Sequence, residues 1–274
     1  MKCTIAVVQF QITHQQADVN LSRIEQFIRQ AKEQQANVIV FPEDCVTGSI
    51  FGDRSKLDST GTFKTAFQAL AKKYAIDIVA GSFMEQTDRG AFNTSYYIDA
   101  KGNILAQYQK TNLYLSERHF LNAGNDIAVF DTAYGKAGIV ICWDIMFPEL
   151  FRRMMRAGVE IIYCPSYWYQ EIAGENLAYN PQSQEQLIDA LCVARAVENN
   201  IVFVYANAAG MMKNPDGSTD TLIGQSQITL PFIGAIHKEN TNKEILFIQT
   251  IDTSILEDAA KTYKLKEDLE KRII

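Results

Sequence analysis

The sequence predicts an α/β protein, with a mixed sheet or a pair of sheets whose faces are covered by helices. Three observations carry that prediction. Short β-branched runs alternate with stretches whose apolar residues recur at helical spacing. No linker rich in Pro, Gly and Ser interrupts the alternation. A composition of 47% hydrophobic and 21% charged residues over 274 positions is that of a globular chain able to bury a core. One domain is expected over residues 1–252. A charged, weakly amphipathic helical extension over 253–274 is expected to pack on that body or on a partner subunit.

The elements follow in order. CTIAVVQF at 3–10 reads as a strand, and Leu21, Ile24, Phe27, Ile28 and Ala31 then mark a helix before the strand VIVFP at 38–42. Phe63, Ala66, Phe67, Leu70, Ala71 and Tyr74 mark a second helix, and IDIVAGSF at 76–83 reads as one strand. FNTSYYID and ILAQYQK form a hairpin through Ala100-Lys101-Gly102-Asn103. Beyond them PELFRRMMRAG reads as a helix, VEIIYCP as a strand and QSQEQLIDALCVARAVENN as a helix; IVFVYANAAG, LIGQSQITLP and EILFIQTID read as strands.

Charge and composition narrow the partners. The net charge is −6, and the 26 Lys and Arg residues gather into no phosphate-tracking stripe, so a small molecule is a better partner than nucleic acid. The amino terminus MKCTIAVVQFQITHQQ has only about seven apolar-leaning residues before polar ones interrupt, which fits neither a signal-peptide core nor a membrane span. Five cysteines with no CxxC spacing, most inside apolar runs, fit free thiols in the reducing cytoplasm. His14, His119 and His237 lack metal-ligand spacing, so no metal site is expected.

The stretch KAGIVICWDIMFPEL at 136–150 carries the chemistry. An apolar strand ends in Cys142, and Pro148 can open a helix, so the thiol falls on a strand-to-helix turn beside backbone N–H groups, as at a nucleophile elbow. The Trp143 N–H would then receive an oxyanion. No histidine stands in a comparable place to serve the thiol. Glu43 and Lys110 do, because each stands at the carboxyl end of a predicted strand, VIVFPE and ILAQYQK, at the sheet edge where α/β proteins build their sites.

FPED at 41–44, YQK at 108–110 and CWDIMFPEL, in that order, resemble the three motifs of the nitrilase superfamily of carbon-nitrogen hydrolases. The likeness runs over about residues 3–252 and extends to ERHFLNAGN, ARAVEN, YANAAG and GQSQI. It implies a four-layer α-β-β-α sandwich, paired into a homodimer or larger assembly. It also implies Glu43 as general base, Lys110 as electrostatic stabiliser, Cys142 as nucleophile and Glu117 as a second carboxylate that positions lysine and substrate. No cofactor is required by that chemistry.

A glutamate of pKa about 4.3 is a weak base for a thiol of about 8.5, a gap of roughly 5 to 6 kcal/mol. Burial and Glu117 are expected to raise the Glu43 pKa, while Lys110 favours the Cys142 thiolate. The substrate expected is a small amide, cleaved to acid and ammonia; the alternatives are a nitrile, or a non-catalytic binding role. Met146 stands where amidases of the superfamily often have arginine, and Tyr167 and Trp168 resemble its pocket-lining segment. Together they suggest a neutral or apolar acyl group.

Overall fold

The computed structural model describes residues 1–271, so the last three positions of the expected extension lie outside the described residues. The first half of the chain builds one sheet from β1 (Lys2–Gln9), β2 (Val38–Val40), β3 (Asp77–Val79), β4 (Phe83–Thr87), β5 (Gly90–Ile98) and β6 (Ile104–Gln109). Helices α1 (Ala17–Glu33) and α2 (Thr62–Tyr74) cross over between β1, β2 and β3, which run parallel as such crossovers require. The second half builds another sheet from β7 (Ala128–Thr132), β8 (Gly135–Ile139), β9 (Ile161–Ser166) and β10 (Val202–Asn207). Its crossovers are α3 (Pro148–Arg156) and α4 (Ser183–Asn199), and β8, β9 and β10 are again parallel. A small hairpin, β11 (Met211–Lys213) with β12 (Thr219–Thr221), precedes β13 (Gln227–Leu230) and β14 (Gly234–Lys238), which complete the second sheet. Finally β15 (Ile245–Asp252) returns to pair antiparallel with β1, and α5 (Ser254–Tyr263) and α6 (Leu265–Lys271) follow.

Strand alternation sets the layers. On β1, Ile5 and Val7 face a core shared with Ile139, Ile161, Tyr163 and Val204 of the other sheet, while Ala6 and Val8 face Ile24 and Ile28 of α1 and Phe67 of α2. Phe151 and Met154 of α3 and Ile188, Cys192 and Ala196 of α4 cover the far side of the second sheet. The order is helix, sheet, sheet, helix. Extension residues Leu256 and Ala259 are buried, so α5 lies on the body.

IDIVAGSF is not one regular strand. The chain pairs with β5 on both sides of Gly81, but the register slips by one residue between Val79–Tyr97 and Phe83–Thr94. Gly81 has φ +62°, and a Cβ there would lie 2.1 Å from the Pro42 carbonyl oxygen. The slip is a bulge that lets the backbone before Glu43 come close. LIGQSQITLP also shortens, to β13, because Gly224 abuts the Gln9 side chain and the Thr241 carbonyl. The strand expected before Cys142 is β8, while β7, the β11–β12 hairpin and β14 lie where the sequence reading places no strand.

Candidate active site

Glu43 follows β2 in the first sheet and Cys142 follows β8 in the second, so the sheet stacking sets two parallel-strand ends against each other. Cys142 has φ +47°, in the left-handed region a non-glycine residue enters at a cost of about 1 to 3 kcal/mol. Asp144 holds that turn. Its carboxylate accepts hydrogen bonds from the Ile141 N–H at 2.9 Å, the Asn112 N–H at 2.8 Å and side-chain amide at 2.9 Å, and the Tyr108 hydroxyl at 2.8 Å. From α4, Arg195 donates through Nε and Nη2 to the Ile145 carbonyl at 3.0 and 2.8 Å, fixing the short 3-10 helix Cys142–Met146 from outside. The Trp143 N–H lies in the first turn of that helix, where backbone donors have no intrahelical acceptor.

Lys110 is buried between two carboxylates, its Nζ 2.8 Å from Glu43 Oε1 and 2.8 Å from Glu117 Oε2. Asn93, on β5, closes the ring: its side-chain amide donates to Glu43 Oε1 at 2.9 Å and to Glu117 Oε1 at 3.0 Å. The Tyr114 N–H donates to Glu117 Oε2 at 2.7 Å. The Cys142 thiol faces the same cavity as the Glu43 carboxylate, Lys110 and Tyr167.

Burial lowers the Lys110 pKa, but the Glu117 and Glu43 charges more than offset it and hold the ammonium well above the ordinary lysine range. Lys110 is therefore a fixed cation and no base. Burial raises the Glu43 pKa and Glu117 adds to the rise, against the pull of Lys110. The thiol departs from expectation. Burial first, then the Glu43 charge, push Cys142 well above the usual cysteine value, and Lys110 only partly opposes them. The Lys110 charge does not produce a resting thiolate.

These groups line a cavity of about 580 Å³. Tyr167 lines it; Trp143, Met146 and Trp168 are not among its lining residues. Trp168 is fully buried, donates through its indole N–H to Gln184 at 2.9 Å, and stacks on Trp143 at 5.4 Å. Trp143 in turn meets Tyr114, which does line the cavity, so this aromatic series backs the wall. Met146, partly buried, packs against the hydrophobic cluster around the second sheet. Sequence reading also passed over Asn93, Asp144 and the cavity-lining Asp44. The available signals were a polar residue within an otherwise buried strand and paired carboxylates in FPED.

The carbon-nitrogen hydrolase family model matches residues 4–261. The chain is 28% identical over 275 residues to 2-oxoglutaramate amidase of Bacillus subtilis, covering 99% of each protein. It is 29% identical over 273 residues to a probable nitrilase of Schizosaccharomyces pombe, covering 96% of this chain and 93% of that one. A carbon-nitrogen hydrolase structure from Helicobacter pylori superposes with a TM-score of 0.85 at 21% identity, over 97% of this chain and 94% of that one.

Proposed function

The chain belongs to the carbon-nitrogen hydrolase family of the nitrilase superfamily, and on that premise we propose that it is a thiol amidohydrolase cleaving a small amide to acid and ammonia. The observation that carries the reading is the convergence of Cys142, Glu43 and Lys110 on one cavity, with Glu43 held by Lys110. In this reading the thiol proton passes to Glu43 as sulfur bonds to the amide carbon, so nucleophile and base act together and no free thiolate precedes attack. The carbonyl electrons move to oxygen, where the Lys110 ammonium and the Trp143 N–H stabilise them; one such donor is worth about 2.7 to 4 kcal/mol. Glu43 delivers the proton to nitrogen, the C–N bond breaks, ammonia leaves and a thioester remains. Water, deprotonated by Glu43, then attacks; the C–S bond breaks, the acid departs and the proton returns to sulfur. Glu117 and Asn93 keep Lys110 and Glu43 in register.

The buried free thiols support a reducing, cytoplasmic setting. A panel of matched amides, carbamoyl compounds and nitriles, assayed for acid and ammonia, tests the substrate class. Hydrolysis of the amide with the higher kcat/KM is the expected result. Preference for the nitrile would replace this reading with a nitrilase, and turnover of none would leave a binding role.

A further inference from the structure

Asp44 follows Glu43 directly, lines the same cavity, and is only 4% exposed. Its Oδ1 has no hydrogen-bond partner although it is buried. A buried carboxylate oxygen left unpaired costs free energy unless something else in the functioning molecule meets it. A second carboxylate, Asp220 on β12, lines the cavity too, and Glu171 behind it is occupied with the Thr221 N–H at 2.7 Å. Both aspartates act on one neighbour: after burial, the charges of Asp44, Glu43 and Asp220 raise the pKa of the Tyr167 hydroxyl.

The lining has little positive charge to answer them. Lys110 is committed to Glu43 and Glu117. Burial, with Glu43 and Glu117 adding to it, pushes the Asp44 pKa well above the ordinary value, so these surroundings disfavour a further negative charge there. A bound cation would restore the ionised form and complete an ion pair with low exposure to water, where charge-assisted bonds are strongest. The expected neutral acyl group rested on Met146, Tyr167 and Trp168, of which Tyr167 lines the cavity and the other two do not.

We infer that the cavity contains an ammonium-binding subsite, with Asp44 as its inner and Asp220 as its outer carboxylate, and that the preferred substrate is an amide whose acyl chain carries an amino group. The inference rests on the amidase reading for its substrate, but the subsite can be read without turnover.

The test uses the full chain with three matched series of increasing length: aminoalkanamides, their uncharged alkyl isosteres and their carboxylate counterparts. The best amino amide is expected to exceed its uncharged isostere by about tenfold or more in kcat/KM. Asp44→Asn should collapse that ratio, and Asp220→Asn, further from Glu43, should reduce it in a site less disturbed by the change. Calorimetric binding of the same compounds to Cys142→Ala reads the preference with chemistry removed. An isostere or carboxylate that equals the amino amide in both assays, or a preference that survives both aspartate variants, overturns the subsite. Selective binding of the amino amide with no hydrolysis of any amide by the wild type keeps the subsite and removes the amidase reading. Neither binding preference nor turnover removes both.

Discussion

At Cys142, burial and the Glu43 carboxylate both disfavour a free thiolate, and Lys110 only partly offsets them. In the proposed mechanism, reactivity therefore depends on Glu43 being ionised when the thiol gives up its proton. Its folded pKa is raised, so the base form, present above that pKa, is lost as pH falls through a value higher than that of an ordinary glutamate. The acid limb of kcat/KM should lie correspondingly high, and a limb at the ordinary carboxylate value would show that another group is the base. Glu43→Gln keeps the shape without the proton transfer and should lower kcat by roughly two or more powers of ten, with an unchanged circular dichroism spectrum. Near wild-type turnover in that variant would remove Glu43 from the mechanism. Iodoacetamide should label Cys142 first, since it lines the cavity while Cys3, Cys45, Cys164 and Cys192 are no more than 1% exposed. Peptide mapping that found full activity with Cys142 alkylated would remove it as nucleophile.

The elements hold these residues by close backbone approach as much as by side chains. Gly81, at the bulge between β3 and β4, leaves room for the Pro42 carbonyl, and Pro42 carries Glu43 on its next bond. Gly81→Ala would place a Cβ 2.1 Å from that carbonyl and 2.8 Å from Cys45 Sγ, at a positive φ that alanine disfavours. The expected result is a loss of about 2 kcal/mol or more in urea unfolding, with kcat falling in the fraction that folds. A variant of unchanged stability and rate would show that the approach is not needed. On the other sheet, the turn at Cys142 is braced from both sides, by Asp144 within the site and by Arg195 from α4. ARAVEN thus supplies a brace inside the protomer, since Arg195 also pairs with Glu198 at 2.7 Å.

For the whole molecule, α4 buries Ile188, Cys192 and Ala196 and leaves Leu187 and Leu191 half-buried and Val193 and Ala194 exposed. We propose that this outer apolar face joins two copies of the chain into the homodimer that the family resemblance implies. Sedimentation at micromolar concentration should give the dimer mass, and Val193→Glu with Leu191→Glu should shift it toward the monomer. A wild-type monomer would discard the interface. Among the described residues no helix is long and apolar enough to cross a membrane.

The sequence by itself determined the α/β class, the helices and most strands, because their signals are local: apolar periodicity for α1, α2 and α4, and β-branched runs for β1, β9, β10 and β15. It also pointed to Glu43, Lys110, Cys142 and Glu117, because ordered motifs at strand ends survive in a linear string. Only the tertiary structure decided how those residues meet. The bulge at Gly81 depends on the approach of Pro42, a residue far from it in sequence, and the Asn93 bridge depends on β5 lying between two loops. Trp168 reads in sequence as part of a pocket wall, yet sheet packing turns it into the core behind Trp143. The sign of the Cys142 shift was decided there as well, since a charge pair can be guessed from motifs but desolvation is a property of the surrounding volume.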